Sequence, residues 1–400
     1  MKKVSGVFLW IIFLIALINP LASDIHVPAL PEIANAFQSK SVAQLTISLY
    51  FLGLAMGQII CGPLSDYYGR RRVLLCGFVI AECGSFLCVV ASDPVFLNVA
   101  RFLQGFGIAA ASTLFAVILR DVCDINKYAK IMSYMSLSIT IIPPIAPVLG
   151  SSIQYLFGWR PIFILLAVVI LIVAMLSFFL LQETNLNTYK EKKSFKKIVF
   201  NYFELLQNKK FLAYTLCAAC SYSGFIAYCT ISPFVFQNTF GLTAVQYAWL
   251  ATVIFVCSLL SRLFNSFLLS KFSVNQMIAV GIFLMLASSS FALMINFLHV
   301  ASVTTILISS ALFIGGGGFI YSNSLAGTMQ ISTNSSGTIM SLYSFLQILG
   351  TFITGTVVSV FFTSSSIMLA FIFTALSLIA GISFYIFIIF PQSVSVSNSA

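Results

Sequence analysis

Charge is what this chain has least of. Only 8% of its 400 residues are Asp, Glu, Lys or Arg, ten are acidic and two are histidine. With a mean hydropathy of +1.05, that composition excludes a soluble globular domain of this length. His26 and His299 are far apart in the chain, which leaves no nucleophile–base pair or metal cluster from which to build a membrane enzyme. The protein is therefore expected not to be an enzyme, and no metal or cofactor is assigned. No G-x-x-x-x-G-K-[ST] string occurs, which excludes the phosphate loop of an ATP-driven pump. Residues 211–400 contain no Asp and no Glu, so carboxyl-based proton chemistry falls to the N-terminal half, and His299 is the one other suitable group beyond residue 210.

Apolar sequence fills the space that charge leaves. Hydrophobic residues make up 60% of the chain, and a spanning helix needs about 20 of them in succession. A backbone in lipid must satisfy its own hydrogen bonds, so these blocks are predicted to be helices. Twelve spans are expected, at 7–28, 43–64, 73–91, 94–118, 130–151, 160–182, 211–236, 244–268, 274–296, 300–322, 337–361 and 366–390. Lys2 and Lys3 before Val7–Ala22 also fit the start of a secretory signal, but the apolar stretch continues past Asp24 and cleavage would leave an odd number of spans. The fold class is all-α and polytopic, as two six-helix bundles (1–182 and 211–400) joined by a cytoplasmic linker (183–210). Phe195, Ile198, Val199, Tyr202, Leu205 and Leu206 recur at helical spacing in the linker, which predicts an amphipathic helix on the cytoplasmic leaflet.

Basic residues set the orientation. With both termini cytoplasmic, 17 of the 20 Lys and Arg lie inside, leaving Lys40, Arg101 and Arg160. The net charge of +10 thus records topology, and no basic-aromatic groove for nucleic acid is present. The nine cysteines lie almost all within apolar spans; Cys217 and Cys220 are expected to be small packing residues, and no disulfide is assigned.

The loop after the second span reads Gly62-Pro63-Leu64-Ser65-Asp66-Tyr67-Tyr68-Gly69-Arg70-Arg71-Arg72. It resembles the signature loop of the major facilitator superfamily, with Tyr67 in place of the usual base. Gly62 is expected to let two helices approach and Gly69 to permit a tight turn. Asp66 is expected to accept from a helix N-terminus or to pair with arginine, and one candidate N-terminus is that of the eleventh span behind Asn334, Ser335 and Ser336. Arg101-Phe102-Leu103-Gln104-Gly105-Phe106-Gly107 and Arg120-Asp121 extend the resemblance, with Ser92-Asp93-Pro94 as a helix cap before them. Pro143, Pro144, Pro147 and Gly150 in the fifth span resemble the proline- and glycine-rich stretch of superfamily antiporters. Together with Asp24-Ile25-His26-Val27-Pro28-Ala29-Leu30-Pro31 and Ser232-Pro233-Phe234, the pattern resembles the bicyclomycin-resistance branch of drug:proton antiporters. That resemblance implies a bacterial inner-membrane carrier that exports hydrophobic or amphipathic small molecules against protons, acting as a monomer. It also implies a conformational switch at Gly62, Asp66, Gly69, Arg70 and Arg120.

Such a carrier needs a group that titrates and is reachable from both sides in turn. Asp24 is the first candidate, at about 6 Å inside the outer end of its span, and Arg101 at about 9 Å is its expected charge partner, directly or through water. Glu82, about 14 Å into the third span, is the second, as a proton site or a packed neutral carboxyl. His26, two residues after Asp24, could tune that acid, but a surface position is the expectation. Tyr222, Phe225 and Tyr228, with Gln347, are expected to line a substrate cavity. Gly315–Gly318 is expected to serve close packing or bending. An exporter of one metabolite or siderophore fits the same residues, as does a channel-like pore if both gates open together.

Overall fold

The computed structural model describes residues 6–123, 125–185, 202–331, 336–361 and 365–390. Among them all regular structure is helical: α1 (Gly6–Asp24), α2 (Leu30–Ala36), α3 (Lys40–Tyr68), α4 (Arg70–Val90), α5 (Pro94–Val122), α6 (Ile125–Phe157), α7 (Arg160–Leu180), α8 (Lys209–Phe234), α9 (Ala244–Leu268), α10 (Val274–Phe297), α11 (Val303–Met329), α12 (Ser336–Val360) and α13 (Ser366–Phe384). Eleven described segments are long and apolar enough to cross a membrane. The remaining expected span falls in α6, whose described apolar part, Ile141–Phe157, is shorter. The chain is a multi-pass membrane protein.

Two compact units divide it: residues 1–192 with 243–252, and residues 193–242 with 253–400. In the first unit, the opening span is longer than the hydropathy pattern predicts and is broken. Helix α1 ends at Asp24, a 3-10 turn covers Val27–Ala29, and α2 carries the segment on to Ala36. Pro28 and Pro31 accompany the break, since neither has an N–H to give to the helical ladder. The segment thus continues past Asp24 as far as Ala36.

Small residues hold α3, α4 and α5 together. Gly53 and Gly57 of α3 face the backbone of Phe102 and Phe106 on α5, and Gly105 faces the Tyr50 carbonyl. Gly62 is not part of this seam, because among the described residues nothing lies within 4 Å of where its side chain would start. The expected close approach occurs instead about one and a half and two and a half turns earlier, at Gly57 and Gly53. Asp93 caps α5 as predicted, its Oδ1 accepting from Phe96 N at 2.9 Å, with Pro94 in the first turn.

In the second unit, Gly281 of α10 and Gly316 of α11 each face the other's carbonyl, and Gly317 and Gly318 face Ser221 and Ser261. Three of the four consecutive glycines thus serve close packing. Leu205 is buried with Phe211, Ala218, Ile339, Leu342 and Tyr343, and Tyr202 packs on the same cluster. Phe203 and Leu206 remain exposed. Phe195, Ile198 and Val199 lie outside the described residues, as do Asn334 and Ser335.

Candidate functional site

Arg101 has 0% of its surface exposed, in the interior of the first unit. An arginine in that position needs many partners, since its charge is always present. Its Nη1 donates to Gln104 Oε1 and approaches the Ala22 carbonyl at 3.5 Å, and its Nε donates to the Thr46 carbonyl at 3.3 Å. Gln104 is fixed in turn, its Nε2 donating at 2.8 Å to Ser85 Oγ, which donates to the Ala81 carbonyl. The guanidinium also stands 4.4 Å from the Tyr50 ring centre and 5.7 Å from that of Phe163. Tyr50 is held by its hydroxyl, which donates to Asn19 Oδ1 at 2.8 Å.

The remaining partner is His26. Its Nε2 lies 3.4 Å from Arg101 Nη2, and the side chain is fully buried, which corrects the surface position expected from sequence. The break after Asp24 turns this residue inward; proximity to an intramembrane acid and to Pro28 was the only signal in the sequence. Asp24 itself is 4% exposed, with its Oδ1 2.9 Å from the Ser23 hydroxyl. The expected Arg101–Asp24 pair is not among the described ion pairs, which join Arg70 to Asp66 and to Asp121. Arg101 instead touches the residues two before and two after Asp24. Gly150 of α6 completes the site from the other side, because a side chain there would collide with the Ile25 carbonyl.

At the other end of α3, Gly69 adopts φ 98° and lets α4 begin at the next residue. Arg70 is buried and pairs with Asp66, with Asp121 Oδ2 at 3.2 Å, and with Ser65 Oγ at 2.6 Å. Glu183, which follows α7, closes this cluster. Its Oε1 accepts from the backbone N of Arg70 at 2.9 Å and its Oε2 from Arg71 N at 3.1 Å, capping the otherwise bare N-terminus of α4. No sequence pattern had singled out Glu183, because its partner is a backbone 113 residues away.

Residues 12–355 match the sequence profile described as Major Facilitator Superfamily. The chain belongs to that superfamily. It is 25% identical over 342 residues to the bicyclomycin resistance protein homolog of Haemophilus influenzae, covering 85% of this chain and 86% of that one. Multidrug resistance protein MdtL of Citrobacter koseri is 31% identical over 292 residues, with 70% of this chain and 74% of the relative covered. Among solved structures, the xylose transporter XylE from E. coli superposes with a TM-score of 0.73 at 13% identity, over 96% of this chain and 97% of that chain. At such identity the likeness is one of fold alone.

The other expected residues of this superfamily member are dispersed. Glu82 is half-buried on α4, and its Oε2 is buried without a hydrogen-bond partner among the described residues. Arg120 is exposed in the last turn of α5, and its neighbour Asp121 is the one that meets Arg70. Pro143, Pro144 and Pro147 lie inside α6, where the Pro144 carbonyl accepts from Thr252 Oγ1 at 2.8 Å. Tyr222 and Phe225 stack at 5.9 Å with Phe255 edge-on to the latter, whereas Tyr228 is buried within the second unit. Gln347 is buried with an unpartnered Nε2.

Proposed function

We propose that the chain is a proton-coupled exporter of hydrophobic or amphipathic small molecules that works by alternating access, with Asp24 as the coupling carboxyl. The observation that carries this is the buried group of Asp24, Arg101 and His26 at the break in the first span. Discontinuous spans and intramembrane ions are where secondary carriers place their coupling sites. The Ser23 hydroxyl lies 3.1 Å from the Pro20 carbonyl and 2.9 Å from Asp24 Oδ1. It has one hydrogen to give, and both contacts are met when the Asp24 carboxyl carries a proton and donates it to Ser23. The names of the relatives support drug-like cargo, and the half-buried pair of Tyr222 and Phe225, backed by the buried Phe255, is suited to it.

In this reading the chain is organised as two six-helix halves, 1–182 and 211–400, with both termini and the 183–210 linker cytoplasmic. Residues Gly69, Asp66 and Arg70 form the switch, and the protein acts as a monomer in the bacterial inner membrane. Asp24→Asn keeps the shape and removes titration. With ethidium as the probe in proteoliposomes, the variant is expected to lose accumulation driven by a pH gradient while retaining exchange across the membrane. Normal gradient-driven accumulation in the variant would refute the assignment, and a flux without counterflow would point to a pore.

A further inference from the structure

We infer that Arg101 is shared between His26 and Asp24, and that His26 is a second proton-carrying group which loads Asp24 from the outer side. The inference rests on the antiport reading above and adds a group to it. Arginine can only donate, so the 3.4 Å approach of its Nη2 makes His26 Nε2 the acceptor. The ring is then neutral and carries its hydrogen on Nδ1, which is buried and has no hydrogen-bond partner among the described residues. A buried N–H in that condition costs free energy that a fixed structural histidine would avoid by pairing. The guanidinium meanwhile reaches the Ala22 carbonyl on one side of Asp24 in sequence and His26 on the other. In the inferred exchange the guanidinium turns from the imidazole to the carboxyl two residues earlier in the chain.

Proton balance then follows from one cation with two alternative partners. In the arrangement described, Asp24 holds a proton and Arg101 holds His26 neutral. When Asp24 releases its proton to the cytoplasmic side, Arg101 turns to the carboxylate and leaves Nε2 bare. Nε2 takes a proton from outer-side water and the ring becomes imidazolium. Passing one proton to the Asp24 carboxylate restores a neutral ring and returns Arg101 to it. One proton has crossed inward, and Arg101 has stayed charged throughout. The other ionisable groups around this exchange are Tyr50 of α3, which lies within electrostatic reach of both Arg101 and Asp24, and Cys88 of α4, which faces Arg101. Glu32 and Arg160 stand nearer the ends of their helices, with Arg160 engaged by the Ala91 carbonyl at 3.0 Å.

Two histidines make the test direct. In protein carrying His299→Gln and labelled with nitrogen-15 histidine, magnetic resonance reads His26 alone. At neutral pH the ring is expected as the neutral form with hydrogen on Nδ1. Raising the pH from 5 to 9 is expected to change its signals in otherwise wild-type protein, because ionised Asp24 draws Arg101 away. In Asp24→Asn the signals are expected to stay fixed. A ring with hydrogen on Nε2, or the same response with and without Asp24, overturns the inference. His26→Gln, which accepts from Arg101 and cannot titrate, is expected to slow gradient-driven ethidium transport at least tenfold with exchange and melting temperature preserved. Unchanged gradient-driven rates in that variant overturn it as well. If Asp24→Asn also transports normally, the antiport reading itself falls; if only His26→Gln does, the relay alone is lost.

Discussion

The carbonyl oxygen of Ile25 lies so close to the Cα of Gly150 that a β-carbon at position 150 would overlap it. Helix α6 thereby seats the backbone between Asp24 and His26, and the residue that cannot have a side chain is the one facing the break in the first span. Gly150→Ala is expected to force α6 away from this segment. Overpacking of a core typically costs about 1–3 kcal/mol, and backbone cannot move aside as a side chain can. A lower melting temperature and loss of transport are expected, whereas Gly62→Ala, with open space around it, should leave both near wild type. A destabilised Gly62→Ala with an undisturbed Gly150→Ala would contradict this packing.

Arg101→Lys keeps the charge and loses the planar fork. A lysine cannot serve Gln104, the Thr46 carbonyl and His26 together while lying over the Tyr50 ring. Each lost charged hydrogen bond is worth about 1.5–3 kcal/mol, so melting should drop and gradient-driven transport should fail. Full activity in Arg101→Lys would mean that only the charge matters.

Glu183→Ala removes the cap of α4. Helix caps contribute about 1 kcal/mol, and this one also restrains the turn at Gly69, so slower transport with a modest fall in melting temperature is expected. Glu183→Gln keeps acceptor oxygen for one of the two backbone N–H groups and should fall between. Identical behaviour of the two variants would argue against capping.

Orientation is checked with a cysteine at position 194 in a background without reactive native cysteines. Ser194→Cys is expected to react with an impermeant maleimide only after the membrane is opened. Labelling from the periplasmic side of intact cells would sink the assignment of the linker to the cytoplasm.

Some of the site was legible in the chain itself. Asp24 and Arg101 stand out because acids and bases are rare in apolar sequence, and Gly69 because a glycine in the loop between two spans permits a tight turn. Gly62 misled for the converse reason: a glycine in a signature string says nothing about which face of its helix meets a neighbour. Glu183 was missed since it carries no local pattern and acquires its role from a partner 113 residues distant.

What the sequence determined by itself is the membrane class, the helical spans and the family loop, because hydropathy, charge scarcity and turn chemistry are local properties that act over about 20 residues. What only the tertiary structure decided is the choice of partners: Arg101 with His26 and Gln104 instead of Asp24, Arg70 with Asp121, and Gly150 with the Ile25 carbonyl. Those depend on how helices rotate and cross, which is fixed by backbone contacts between small residues and by the proline break after Asp24. A linear pattern holds the ingredients of these contacts without their geometry.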